Sequence, residues 1–442
     1  MIIKIPAQIG VMQITVSGYK SISHEQAIEI RPLTILAGAN SSGKSSIMQP
    51  LLLLKQTLES SFDPGALLLN GPNVLFTSAE QMFSRSSSQE QPAIMKVHLR
   101  LGNHAFTICL RKHRHNGVEI LSNTYARGSE ELVLKSRMTQ REILSIFSNK
   151  ALSLSKFSVD RDRCFLLLKV SGKNFAPLPD GGYITSATFS PLHSDEVRYF
   201  VVNILSELIH LPGLRGNPAR AYPVTAVGTI FPGTFENYTA SIIAHWQVEK
   251  QENKITQLGA NLEKLGLTWK VTAKRINDTQ VELQVGRLSR AGRRGERDLV
   301  NIADVGLGVS QTLPVLVALL AAKPGQLVYL EQPEIHLHPR AQTTLAQVIA
   351  DAANRGVRVV VETHSSLFLL GIQTLIAEGK LSTDLVKLHW FSRDENGATS
   401  IRSADLDESG AFGDWPEDFD DVTLDAQSRY LDAAESRQQR VH

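Results

Sequence analysis

The stretch LTILAGANSSGKSS, Leu33–Ser46, constrains the fold more than any other part of the chain. An apolar run predicts a buried strand that ends at Gly38, and the loop Gly38, Ala39, Asn40, Ser41, Ser42, Gly43, Lys44, Ser45 has the form GxxxxGK[ST]. The Leu-rich segment behind it predicts a helix, in which Pro50 either kinks the axis or marks the first turn. Strand, glycine loop and helix in that order build a phosphate cradle. The glycines let backbone N–H groups curl around phosphate oxygens, and the helix start adds its positive dipole end. Lys44 neutralises β and γ charge, the Ser45 hydroxyl suits Mg²⁺, and Ser46 continues into the helix.

The last third of the chain supplies matching parts. Helix and strand alternate there, with helix 310–322, strand 326–330, helix 341–354, strand 357–361 and helix 367–378, which implies a parallel sheet covered on its faces. LVYLEQPEIHLHP places Glu331 at the carboxyl end of a strand, where such sheets bind ligands and where a carboxylate can hold Mg²⁺. Gln332 follows; an amide orients water but is a poor acceptor of its proton. Glu334 compensates only if a turn at Pro333 carries it back toward the phosphate. His336 and His338, with Glu331 and Glu334, offer metal-type ligands, but HLH reads more simply as a half-buried extended turn. NIADVGLGVSQTLPV sets Gly306 and Gly308 ahead of Ser310 and a helix, a second place where N–H groups face an anion, with no lysine of its own. VVVETHSS puts His364 at the end of another strand, beside that of Glu331, within reach of a γ-phosphate.

Composition excludes several classes. With 442 residues, 42% hydrophobic and 20% charged, the chain has the material for a large core and is neither disordered nor fibrous. Its 46 Lys+Arg against 44 Asp+Glu leave +2, too little to argue for nucleic acid from the total. Two cysteines, Cys109 and Cys164, lack CxxC spacing and form no disulfide framework, which points to a reducing, cytoplasmic setting. The longest apolar run, Leu313–Ala322, is about half of what crosses a bilayer, so no membrane role is expected. The N-terminus reads as strand rather than as a secretory signal.

Between the two motif-bearing ends, residues 9–16 and 27–37 read as strands, 93–119 as an antiparallel pair turning at RKHRHNG, and 84–91 as a polar loop. Residues 196–209 and 235–267 have helical spacing, 268–286 strand character. HLPGLRGNPARAYP reads as a structured loop near a site. Arg287, Arg290, Arg293, Arg294 and Arg297, with Arg111, Lys112 and Arg114, form basic tracts that could meet phosphates or simply be solvated. An acidic tail surrounds Trp415 and Phe419. The expected division is an N-terminal lobe with the glycine loop and antiparallel strands (1–130), an insertion with helical and strand parts (131–299), a C-terminal lobe (300–400) and the acidic tail (401–442).

GYKS (18–21), LTILAGANSSGKSS, DVGLGVSQTLPV (304–315), YLEQPEIHLHPRAQ (329–342) and ETHSS (362–366) together resemble the ordered motifs of ABC-type ATPases, and more closely their OLD-like branch, related to RecF and SMC proteins and frequent in prokaryotic defence systems. The tail resembles a small domain that ends many such stand-alone ATPases. The resemblance implies an α/β ABC-type P-loop ATPase head with a mostly parallel core sheet, an antiparallel β subdomain and a helical insertion. It implies ATP and Mg²⁺ at Lys44 and Ser45, a metal-side role for Glu331, a switch histidine at His364, and a signature loop at Gly306 and Gly308 that closes on the triphosphate of a partner subunit. Val305 stands near the signature's usual leading serine, and Gln332 replaces the usual glutamate.

A helix start without lysine is most useful when it lids the triphosphate held by another copy, so a homodimer or higher even oligomer is expected, with slow hydrolysis prolonging the closed state. The chain shows no nuclease constellation. The first functional reading is therefore an ATPase that regulates or scaffolds a separately encoded effector, a nuclease, in antiphage defence. The alternatives are a DNA-binding repair ATPase and a nucleotide switch with negligible turnover.

Overall fold

The computed structural model describes residues 11–84, 93–113, 117–146, 156–177, 183–189, 194–290 and 298–413. The N-terminal ten residues, most of the polar loop 84–91, Arg114, Arg293, Arg294, Arg297 and the acidic tail from residue 414 on, with Trp415 and Phe419, lie outside them.

The central sheet has the order β11-β16-β17-β3-β18-β19: β11 (Ile209–Leu211), β16 (Leu327–Glu331), β17 (Arg358–Thr363), β3 (Leu33–Gly38), β18 (Val386–Arg393) and β19 (Thr399–Ala404). All neighbours are parallel except the β18–β19 edge pair. β3 and β17 are buried along their whole length, so neither shows the alternation of a half-exposed strand. On one face Leu33, Ile35, Val359, Val361, Val328 and Leu330 pack under α6 (Leu307–Ala321), α7 (Pro339–Asn354) and α8 (Ser366–Ala377). On the other, Leu36, Tyr329, Val360 and Phe391 pack against α1 (Lys44–Glu59). Pro50 lies inside α1, which continues through it.

Above α1 sits a six-stranded antiparallel sheet, β2-β1-β4-β5-β6-β7, formed by β1 (Met12–Ser17), β2 (Gln26–Ile30), β4 (Ile94–Leu101), β5 (His104–His113), β6 (Gly117–Arg127) and β7 (Glu130–Lys135). The run expected over 27–37 is thus two strands in two sheets. Arg31-Pro32 separates them, because proline cannot donate to a ladder and turns the chain from one layer to the next. Beyond this sheet come α2 (Gln140–Ser145) and a small sheet of β8 (Lys156–Asp162), β9 (Phe165–Pro177) and β10 (Tyr183–Phe189); α3 (Ser194–Glu207) packs on α1. The helical insertion is α4 (Thr239–Val248) and α5 (Glu252–Lys264), followed by β13 (Val271–Arg275), β14 (Gln280–Gly286) and β15 (Leu299–Asn301), with β12 (Tyr222–Pro223) on the edge of β14. The architecture is therefore the expected one: α/β, a mostly parallel core sheet, an antiparallel β subdomain and a helical insertion. The helix expected to run to Ile209 ends at Glu207, and the next residues form β11 in the core sheet; a three-residue strand is too short to leave a periodic signal.

No helix among the described residues is long and apolar enough to cross a membrane. Cys109 and Cys164 are both free thiols.

Candidate functional site

The glycine loop leaves β3 between β17 and β18, at the carboxyl edge of the parallel strands. Two glycines are sterically required. Gly38 has φ 142°, and a Cβ there would lie 2.2 Å from the Phe391 carbonyl oxygen; Gly43 has φ 104°, and its Cβ would lie 2.3 Å from Thr399 Oγ1. The β18–β19 hairpin thus backs the loop, and Thr399 Oγ1 donates to the Ser42 carbonyl at 2.8 Å. Asn40 and Ser41 form the exposed crest, with Ser41 in the left-handed region at φ 60°. Ser42 is buried and its hydroxyl has no partner. Ser46 N–H donates to the Gly43 carbonyl, starting α1. Lys44 is buried and donates to the Gly38 and Ala39 carbonyls at 3.0 and 2.8 Å. Burial lowers its pKa to about 8, against the opposing pull of Glu362 and Glu334.

Strand register places two carboxylates side by side on the α1 face. Glu331 on β16 pairs with Glu362 on β17, and Glu362 pairs with Leu36 on β3. Glu362, not Glu331, reaches the loop: the Ser45 hydroxyl lies 2.8 and 3.0 Å from its two oxygens, and the Tyr329 hydroxyl donates to it at 2.9 Å. Burial, then the neighbouring Glu331 charge, raises the Glu362 pKa. Glu331 instead meets His210 Nε2 at 3.0 Å and the Gly213 N–H at 3.4 Å. The Ser45 hydroxyl and these two carboxylates are hard oxygen donors, the set Mg²⁺ takes. Sequence reasoning missed Glu362, His210 and Tyr329; the signals available were the acidic residue inside ETHSS and the His that opens HLPGLRG.

Beyond Glu331 the chain turns sharply. Gln332 adopts φ 43° while its N–H donates to the Glu362 carbonyl at 2.8 Å, and Ile335 and Leu337 N–H groups close turns onto Gln332 and Glu334. HLH is therefore a compact turn rather than extended, set between Pro333 and Pro339, and His338 caps α7. Among the described residues no group of three or more His, Cys, Asp or Glu is arranged to hold a metal. The turn folds Glu334 back to the end of β17, where one oxygen accepts from Thr363 Oγ1 at 2.5 Å and from the His364 N–H at 3.1 Å; the other, buried, has no partner. Burial raises the Glu334 pKa. His364 is half-buried and hydrogen-bonds the Gly38 backbone; burial and the Lys44 charge lower its pKa, keeping the imidazole neutral.

The distal glycine motif opens α6. α6 begins at Leu307 rather than Ser310, with exposed Gly306 at its N-cap. Gly308 faces Leu267 and the His336 carbonyl, and the Ser310 hydroxyl donates back to the Leu307 carbonyl. Arg215, also missed, connects the two regions. Its guanidinium is buried, donating to the Gln311 carbonyl on α6 at 3.1 Å and to the Glu331 carbonyl at 3.0 Å, and desolvation lowers its pKa to about 10.

Of the four basic-tract residues that are described, three are in ion pairs and Arg290 is exposed. Arg287 pairs with Asp298, Arg111 with Glu119 and Lys112 with Glu80.

A family described as "AAA domain, putative AbiEii toxin, Type IV TA system" matches residues 225–370, about a third of the chain, which includes the distal glycine motif, Glu331 and His364 but not the glycine loop. No curated protein matches. Among solved structures, an Smc head bound to the C-winged helix domain of ScpA is 13% identical with TM-score 0.48, over 90% of this chain and 99% of that one. The SMC head domain from Thermotoga maritima is 12% identical with TM-score 0.39, over 89% and 98%. The Smc head with an extended coiled coil, bound to the C-terminal domain of ScpA derived from Pyrococcus furiosus, is 12% identical with TM-score 0.42, over 90% and 96%.

Proposed function

We propose that this chain is an ABC-type ATPase head that binds ATP with Mg²⁺ and hydrolyses it slowly. One observation carries the reading: Lys44 and Ser45 of the glycine loop meet Glu362, Glu331, Glu334 and His364 at one edge of one parallel sheet. Lys44 would leave the Gly38 and Ala39 carbonyls for the triphosphate, and the loop N–H groups would take its oxygens. Ser45, Glu331 and Glu362 would hold the Mg²⁺, which when bound neutralises phosphate charge. Glu334 takes the role of proton acceptor for water, because it is the carboxylate at this edge with a free oxygen and a raised pKa; neutral His364 positions the γ-phosphate end. Gln332 orients water without deprotonating it, which slows turnover and supports the second reading, a switch whose closed state outlasts chemistry.

Gly306, Gly308 and Ser310 would lid the triphosphate of a second copy. Leu307, Ile335 and Leu214, on segments that frame the site, are 45, 50 and 79% exposed, apolar surface that a second copy would cover. We place the dimer in the cytoplasm, consistent with two free thiols, as regulator or scaffold of a separate nuclease in antiphage defence; the toxin–antitoxin description of the matching family supports such a setting. The paired state of Arg287, Arg111 and Lys112 counts against a DNA-binding surface at those residues. The test is phosphate release and ATP binding by wild type and Lys44→Ala. Release by wild type above the variant supports hydrolysis; binding without release leaves the switch reading; no binding by wild type refutes both.

A further inference from the structure

We propose that His210 and Tyr329 form a stacked pair of positioning rings, each fixing one of the two site carboxylates, and that Asn73 sets the His210 tautomer. The inference rests on the reading of Glu331 and Glu362 as the metal-side acids.

The two carboxylates sit in register on adjacent parallel strands, where like charges repel and their rotamers would diverge. His210 and Tyr329 are likewise in register, on β11 and β16, and their rings stack with centroids 5.5 Å apart and planes 11° apart. Each ring donates to a different acid: the Tyr329 hydroxyl to Glu362 at 2.9 Å, and His210 Nε2 to Glu331 at 3.0 Å. Both rings are at most 1% exposed.

The direction of the imidazole hydrogen bond follows from Asn73. Its Nδ2 lies 3.0 Å from the Gly233 carbonyl and 3.0 Å from His210 Nδ1. A carbonyl only accepts, so the atom facing it must be the amide NH₂, whose other hydrogen points to Nδ1. Nδ1 therefore accepts, and Nε2 carries the hydrogen given to Glu331. Asn73 is itself held from α1, because the Asn73 and Val74 N–H groups donate to Gln56 Oε1 at 3.2 and 2.9 Å, and Gln56 Nε2 returns to the Val74 carbonyl at 3.0 Å. In the chain Gln56, loop 73–74, His210, Glu331, the members Gln56, Val74 and His210 are buried, while Asn73 and Glu331 are partly exposed.

Such orientation matters for this ion. Mg²⁺ requires near-octahedral oxygen geometry, and removing a partner that orients a ligand costs about 10–100-fold in metal affinity. The experiment measures Mn²⁺ binding to the full-length protein by electron paramagnetic resonance, with and without ATP. His210→Ala and Tyr329→Phe are each expected to weaken Mn²⁺ by about 10–100-fold. His210→Gln, whose amide nitrogen can stand in for Nε2–H, should recover most of the loss; His210→Asn, which reaches only the Asn73 side, should not. Tyr329→Phe keeps the ring stack and removes one hydroxyl, so it decides the matter if His210→Ala melts early. Wild-type affinity in both His210→Ala and Tyr329→Phe overturns the positioning role alone. A wild-type protein that binds neither ATP nor Mn²⁺ overturns the functional reading and this inference together.

Discussion

Replacing Glu334 by Gln separates chemistry from stability at a buried site carboxylate with one unpartnered oxygen. In Glu334→Gln the carbonyl can keep both hydrogen bonds now made to Glu334, from Thr363 Oγ1 and the His364 N–H, while the amide takes the place of an oxygen that has no partner. Loss of a general base costs about 10²–10⁴ in rate, or roughly 3–5 kcal/mol of barrier. The fold should lose at most about 1 kcal/mol, since a desolvated carboxylate is exchanged for an uncharged isostere. The pH dependence has a definite sign. Burial raises the Glu334 pKa above its ordinary 4.5, so the folded state holds the proton more tightly. That contribution to stability is complete below pH 4.5 and is lost as pH rises through the raised value. Gln does not titrate, so the variant should gain in Tm relative to wild type as pH climbs toward neutrality. The assays are phosphate release at saturating ATP and thermal unfolding across pH. Unchanged turnover would falsify the base assignment, and a Tm deficit that widens with pH would contradict the burial argument.

Other outcomes follow from the same geometry. Gln332→Glu should raise turnover about tenfold or more in a steady-state phosphate assay, and an unchanged rate would show that the amide is not limiting. With Lys44 at about pKa 8 in the free protein, ATP affinity should decline as pH rises past that value, while Lys44→Arg stays flat; parallel titration curves for the two would exclude Lys44 deprotonation as the cause. Gly38→Ala places a Cβ against the Phe391 carbonyl in a left-handed backbone, so denaturant unfolding should report a loss of about 2 kcal/mol or more. Arg215→Met removes hydrogen bonds to the Gln311 and Glu331 carbonyls; a loss of about 3 kcal/mol is expected, and a neutral outcome would mean that desolvation of the guanidinium already cancels those bonds.

Local pattern carries part of the site and topology the rest. The strand–loop–helix at 33–46 and the acidic end of β16 were legible because each is a contiguous run whose chemistry depends on neighbours in sequence. Glu362 sat in a segment already singled out, yet its contact with Ser45 exists only because β17 inserts between β16 and β3, an order that periodicity does not encode. His210 was hidden more deeply: β11 is three residues long, and the partners of His210 lie at 73 and 331. Arg215 lay in a segment read as a structured loop near a site, but its own role was hidden, because a guanidinium that caps carbonyls from two distant elements leaves no local signature. The turn at Pro333 shows the opposite case. Its direction was an open condition on Glu334, and only the positive φ of Gln332 and the hydrogen bonds to Thr363 and His364 resolve it.

Calorimetric titration of ATP with Mg²⁺ into the full-length protein, beside Lys44→Ala, is the shortest route to the central claim. Saturable heat near one nucleotide per chain in wild type, abolished in the variant, is the expected result. No heat in wild type, or equal heat in both, would contradict the assignment of residues 38–45 as the triphosphate cradle.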